Sequence, residues 1–163
     1  MAGLWHWALG RAPQRRSAAR ARKGAGGLRA KILGALPFTL PGSQQTALAE
    51  IDADLAQPER MLRLLQGDVG SGKTVVALLS AATTIEAGAQ AAMMAPTELL
   101  VRQHARTIAP LAEAAGIRLA VLTGRERARD RAEVVAGLAD GAIDLLVGTP
   151  ALVQAGVQFH DLR

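Results

Sequence analysis

Eight consecutive residues, Gly67-Asp68-Val69-Gly70-Ser71-Gly72-Lys73-Thr74, constrain this chain more than any other stretch. They match the pattern G-x-x-x-x-G-K-[ST] in full, the phosphate-cradling P-loop. Gly67 and Gly72 permit backbone torsions that a side chain would forbid, and Gly70 lets the loop stay close to its ligand. The loop's N–H groups then converge on phosphate oxygens as an anion nest. A helix beginning at Lys73 turns its positive dipole end on the same point. Lys73 is expected to reach the β- and γ-phosphates, and the Thr74 hydroxyl to ligate Mg²⁺. The expected ligands are therefore ATP and Mg²⁺, with Lys73 and Thr74 as the catalytic pair and the whole octad in contact with nucleotide. A chance glycine-rich turn with a solvated lysine is the bland alternative. The flanks oppose it, because an apolar run, Met61 to Gln66, precedes the loop and an apolar helical run follows it. A dinucleotide fingerprint G-x-G-x-x-G is not present, since Val75 stands sixth after Gly70-Ser71-Gly72.

Periodicity predicts what surrounds the loop. Helices are expected over Ser43 to Ala56, with Ala47, Leu48, Ile51 and Leu55 on one stripe, over Lys73 to Ala87, over Thr97 to Ala115 and over Glu126 to Leu138. Gly88 closes the second, and Thr97 caps the third with Glu98 in its first turn, while Pro110 is expected to interrupt it. Strands are expected at Met61 to Gln66, Gln90 to Ala95, Ile117 to Thr123 and Ile143 to Val147. Continuously apolar strands separated by helices imply an α/β P-loop NTPase fold, a parallel sheet covered on both faces. Ligands of such a sheet bind beyond the carboxyl ends of its strands.

Composition narrows the rest. The chain has 163 residues, enough for one domain, and half are apolar although only 2% are aromatic. Cysteine is absent, which excludes a disulfide framework, a Cys-ligated zinc site and thiol chemistry. No apolar run approaches the roughly 20 residues of a membrane span, so a soluble, non-membrane protein is expected. The net charge of +5 divides unevenly: residues 1–31 hold eight Lys or Arg and no acid, leaving 11 basic against 14 acidic from Ile32 onward. Residues 1–31 are thus expected as a basic arm or connector, disordered or partly helical, and 32–163 as a partial ATP-binding domain. Such an arm can engage nucleic acid through counterion release. Its composition also suits a transit peptide, but Gly10, Pro13 and the Gly24 to Gly27 cluster interrupt an amphipathic helix there.

A longer set of motifs carries a family resemblance. Leu36-Pro37-Phe38-Thr39-Leu40 is followed by Gln44, then by LLQGDVGSGKT, then by Ala95-Pro96-Thr97-Glu98-Leu99-Leu100 with Gln103-His104. Leu122-Thr123-Gly124 and Val147-Gly148-Thr149 come next. In order and spacing, from Leu28 to Leu162, the chain resembles the RecG family of bacterial superfamily 2 DNA helicases, which remodel branched DNA and stalled forks. The resemblance implies a RecA-like motor lobe acting in recombination and repair. Gln44 would read the adenine edge, with Phe38 supporting the base. Pro96, Thr97, Thr123, Gly124, Gly148 and Thr149 would touch the backbone of branched or single-stranded DNA, contacts that position without reading sequence. His104 reads more readily as a packed or solvated helix residue than as a functional one. Pro41 and Pro150 depart from the Thr and His usual in the family. A monomer in the bacterial cytoplasm, associated with the nucleoid, is the implied setting.

One component of the chemistry is missing. A P-loop ATPase needs a carboxylate at another strand end to hold Mg²⁺. The resemblance implies that a D-E-x-x motif supplies it just beyond the 159–162 stretch, and that a second lobe supplies an arginine finger. Neither is in this sequence, and Asp52, Asp54, Asp68 and Asp144 are poorly placed to substitute. The chain is therefore expected to bind ATP-Mg²⁺ without efficient hydrolysis. Two rivals remain open: a small P-loop phosphotransferase using Arg125, Arg127, Arg129 and Arg131 as a lid, and a degenerate fragment binding nucleotide or DNA weakly. The alternate spacing of those arginines spreads them round a helix and favours a solvated surface.

Overall fold

The computed structural model describes residues 26–58, 61–150 and 156–162. Most of the expected basic arm, up to residue 25, lies outside the described residues. The elements run α1 (Gly27–Ala35), α2 (Gly42–Leu55), α3 (Lys73–Glu86), β1 (Ala91–Met94), α4 (Glu98–Ala115), β2 (Leu119–Leu122), α5 (Ala128–Ala139) and β3 (Leu145–Gly148). The three strands form one parallel sheet in the order β1-β3-β2.

Side chains alternate across a strand, and the two faces of β3 show it. Leu145 and Val147 enter the larger core with residues of α1 to α4, while Leu146 joins Leu122 and Leu138 in a smaller core beneath α5. Val157 and Phe159 pack against that second core. The sheet is covered on both faces, as its continuously apolar strands require.

Helix α1, expected only as a partly helical end of the arm and given no bounds, straddles residue 31 and is held from its neighbours. Glu86, the last residue of α3, accepts from the backbone N–H of Gly26 at 2.8 Å and from that of Leu28. These are donors that a helix start leaves without partners. Arg29 then forks onto Asp52 of α2, at 2.5 and 2.8 Å, and reaches the Thr83 hydroxyl of α3 at 2.5 Å.

Two expectations fail. Met61 to Gln66 is not a strand: the run has no backbone ladder to the sheet, and Leu62 and Leu64 are 93% and 80% exposed. A strand exists only with a partner, so an apolar run alone does not make one. Arg63 instead moors this segment to α2, bonding Asp54 at 2.7 Å and Glu50 at 2.5 Å, while Leu65 packs on the core. Pro110, expected to interrupt its helix, sits inside an unbroken α4. A mid-helix proline costs about 3 kcal/mol. Pro110 faces solvent while Ile108, Leu111, Ala112 and Ala115 around it are buried. Each large apolar side chain so buried contributes about 1.5–3 kcal/mol, and together they outweigh the missing bond.

A buried glutamine ties the sheet's edge together. Gln90, just before β1, donates through Nε2 to the carbonyls of Leu138 at 2.9 Å and Ile143 at 2.7 Å. Its backbone N–H reaches Asp161 O at 2.7 Å, and its Oε1 accepts from Asp161 N at 3.0 Å. The result is a parallel bridge between Gln90 and Leu162. Among the described residues, no helix is long and apolar enough to cross a membrane.

Candidate functional site: the P-loop and the strand-end row

The loop curls as its glycines allow. Gly70 and Gly72 take φ of +84° and +77°, left-handed values that disfavour side chains. Gly67 is different, because its torsion is ordinary and its constraint is space. A Cβ there would lie 2.6 Å from Ser71 Oγ. Lys73 Nζ turns into the loop and donates to Gly67 O and Asp68 O, both at 2.6 Å, and to Ser71 Oγ at 3.3 Å. All three are acceptors on the loop itself, so an ammonium already stands where an anion would be received.

Gln44, in the first turn of α2, lies directly against this loop. Its Nε2 donates to Ser71 O at 2.7 Å, and a Cβ on Gly72 would meet it at 2.4 Å. Its Oε1 is buried without a partner, an acceptor that a ligand's amino group could satisfy. Phe38 is about half exposed and faces elsewhere, into a cavity of about 690 Å³ walled by α1 and α2 residues including Arg29, Gln45 and Asp52. No P-loop residue lines that cavity, and Gln44 does not either. The octad and Gln44 are thus brought together, and Phe38 stands apart. Lys73 Nζ thus supplies a donor at the loop and the orphaned Gln44 Oε1 an acceptor, a pair compatible with a purine nucleotide. Thr74, half-buried, presents its hydroxyl to His104 Nδ1 of α4 at 3.2 Å. Among the described residues no cluster of three His, Cys, Asp or Glu side chains is arranged to hold a metal.

The other expected contacts form a row at the carboxyl ends of the strands. The register aligns Met94, Gly148 and Leu122, so Pro96-Thr97, Thr149 and Thr123-Gly124 follow in the strand order. Thr97 caps α4, its Oγ1 accepting from Leu100 N at 3.3 Å. Glu98 joins two neighbours: it binds Arg102 at 3.0 Å and Arg125 at 2.9 Å. Thr123 is buried, and its hydroxyl donates to Glu126 Oε1 at 2.6 Å, so of the Thr123-Gly124 pair only Gly124 is exposed, next to an exposed Arg125.

Glu126 was not singled out by sequence reading. It also accepts from the N–H groups of Thr123 and Gly124, both at 2.7 Å. Burial pushes its carboxyl pKa up, but these hydrogen bonds outweigh burial and leave it below its ordinary value. The signal was present in Thr123-x-x-Glu126, the spacing of a capping box. Asp144 sits at the opposite, amino end of the sheet and forks with Arg118, at 2.5 and 2.9 Å. Of the candidate lid arginines, Arg125 is paired with Glu98, and Arg129 with Glu133 one turn along α5.

The site thus consists of a P-loop opening a helix, a glutamine beside it, and a row of hydroxyls and glycines across parallel strand ends. The DEAD/DEAH box helicase family model matches residues 42–162. The chain belongs to that family. This helicase segment is 51% identical over 136 residues to the ATP-dependent DNA helicase RecG of Treponema pallidum, covering 83% of this chain and 20% of that protein. It is 46% identical over 132 residues to RecG of Bacillus subtilis, covering 81% of the chain and 19% of the relative. The segment thus spans about a fifth of the length of these curated relatives. A solved structure of RecG bound to a three-way DNA junction superposes with a TM-score of 0.79 at 40% identity, over 89% of this chain and 20% of that one. The helicase MrfA matches at a TM-score of 0.61 and 15% identity, over 90% of this chain and 21% of that one, a likeness of fold alone.

Proposed function

We propose that this chain is the nucleotide-binding part of a DNA helicase or translocase motor that remodels branched DNA in recombination and repair. The observation that carries the reading is Lys73 Nζ held inside a complete P-loop by the loop's own acceptors, with Gln44 against it. Phosphate oxygens arriving at the loop would replace those acceptors, and the converging N–H groups and the helix dipole would hold them. Gln44 reads the adenine edge. Thr74 holds Mg²⁺, which neutralises charge on the phosphates when bound. Phe38, exposed and apart from Gln44, supports the base only after the 36–40 loop moves.

Thr97, Gly124 and Thr149 are proposed to contact a DNA backbone. Neighbouring strands lie about 4.8 Å apart, so the row spans roughly 10 Å. Stacked nucleotides rise about 3.4 Å each along one strand, and the row thus matches two to three of them. Such contacts carry no sequence preference. The setting proposed is a monomer at the bacterial nucleoid.

These 163 residues contain no adjacent Asp-Glu pair. By themselves they bind ATP-Mg²⁺ and turn it over poorly, because no base positions the attacking water. An arginine finger, also not among them, is worth roughly 10³–10⁵ in rate in related P-loop enzymes. Titration with a fluorescent ATP analogue tests the assignment. Lys73→Ala should weaken binding at least tenfold while the far-ultraviolet circular dichroism stays unchanged. Equal affinity of parent and variant would remove the P-loop from the reading.

A further inference from the structure

The hydroxyl of Thr74 is held differently from those of three other helix residues, Thr46, Ser80 and Thr107. Those of Thr46, Ser80 and Thr107 donate back to the carbonyl four residues earlier, at 3.0, 2.8 and 3.1 Å. Thr74 is the second residue of α3, so the residue four positions earlier, Gly70, belongs to the loop rather than the helix. Its hydroxyl is instead directed across to another helix, 3.2 Å from His104 Nδ1. A threonine hydroxyl has one proton and two acceptor lone pairs, and a cation bound to its oxygen uses a lone pair. The proton must then go to an acceptor on the far side from the cation, and an unprotonated ring nitrogen provides one.

We propose that His104 is a positioning residue for the metal-binding hydroxyl: its unprotonated Nδ1 accepts the Thr74 Oγ1–H and leaves the oxygen's lone pairs turned toward Mg²⁺. His104 lies two turns after the Thr97 cap, so the side chain that aims the metal ligand is borne by the helix whose first residues stand at the strand-end row. Outer partners of this kind fix the orientation of a metal ligand, and their removal typically costs 10–100-fold in metal affinity. The inference rests on the reading above, that Thr74 ligates the Mg²⁺ of a bound nucleotide.

The test compares the 163-residue chain with His104→Phe, which keeps a ring and removes the acceptor, and His104→Asn, whose Oδ1 can stand in for Nδ1. Affinity for a fluorescent ATP analogue is measured with Mg²⁺ and again with EDTA, and the ratio of the two isolates the metal's contribution. His104→Phe should lower that ratio about tenfold with the EDTA affinity unchanged, and His104→Asn should retain most of it. An unaltered ratio in His104→Phe overturns the role of His104 and leaves the nucleotide site standing. A parent chain whose affinity ignores Mg²⁺ overturns both. A second readout needs no variant: a two-bond ¹⁵N–¹H spectrum of the folded parent should show His104 protonated at Nε2 alone. A proton on Nδ1 overturns the proposal.

Discussion

Glu126, partly exposed, organises the turn after β2 at the strand-end row. One carboxylate collects the Thr123 N–H, the Thr123 hydroxyl and the Gly124 N–H, and so fixes the bend that exposes Gly124. Those bonds favour the charged form more than burial opposes it, so the folded pKa lies below the unfolded value. This stabilisation is therefore complete above the ordinary carboxylate pKa of about 4.3 and is lost as pH falls through the lowered folded value. Glu126→Gln should remove that acid-range component and cost about 1 kcal/mol at neutral pH, a figure discounted for partial exposure. Urea unfolding at pH 7 and below pH 4 measures both. An equal drop in stability of parent and variant on acidification would place the titrating group elsewhere. Asp144 works in the same direction at the far end of the sheet. Burial raises its pKa, and the hydrogen bonds from Arg118 more than reverse it.

At the scale of elements, α4 and α1 each depend on something outside their own sequence. Pro110 leaves the Arg106 carbonyl without its helical donor, yet α4 runs through it because its buried face is apolar to the end. Pro110→Ala should therefore stabilise the protein. The helix gains up to about 3 kcal/mol, and the more flexible unfolded chain takes back up to about 1. A melting temperature that falls in the variant would show that the proline ring is packed rather than tolerated. Helix α1 has no side-chain cap of its own and uses Glu86 of α3 instead. Glu86→Ala should cost about 1 kcal/mol, the usual effect of removing a helix cap. Hydrogen exchange should localise the loosening to Gly27–Ala35. Protection there equal to the parent's would mean that Arg29 and the buried Ile32 hold the helix unaided.

At the scale of the whole molecule, charge is the organising asymmetry. Eight basic residues precede Ile32, but Arg29 is committed to Asp52 and α1 already includes Lys31, so eight less two, or six, precede the described domain. Any affinity of this chain for DNA should be salt-sensitive and carried mainly by those six. Deleting residues 1–25, which leaves α1 whole, should flatten the dependence of log K on log salt by about 0.9 for each DNA phosphate that the arm had neutralised. An unchanged slope would assign the DNA binding to the strand-end row. ATP turnover by the same chain should stay below ~1 per second with saturating branched DNA, the low end of ordinary enzyme rates. Faster, Lys73-dependent phosphate release would direct attention to Asp68, the carboxylate within the loop.

The sequence by itself determined the glycine loop that opens α3, the parallel α/β class and, among the described residues, four of the five helices and the three strands that pair. Each is written in contiguous residues: a glycine spacing, an apolar period, a cap such as Thr97. The tertiary structure alone decided what depends on residues far apart along the chain. It withheld strand status from Met61 to Gln66, because a ladder needs a partner that no local pattern supplies. It carried α4 through Pro110, because burial on one face outweighed a missing bond. It placed His104 on Thr74, 30 residues away, and left the Gln44 oxygen buried and unpartnered beside the loop. Periodicity records which face of a helix is apolar. Which polar atom meets which across two helices depends on their packing, and only the folded chain specifies that.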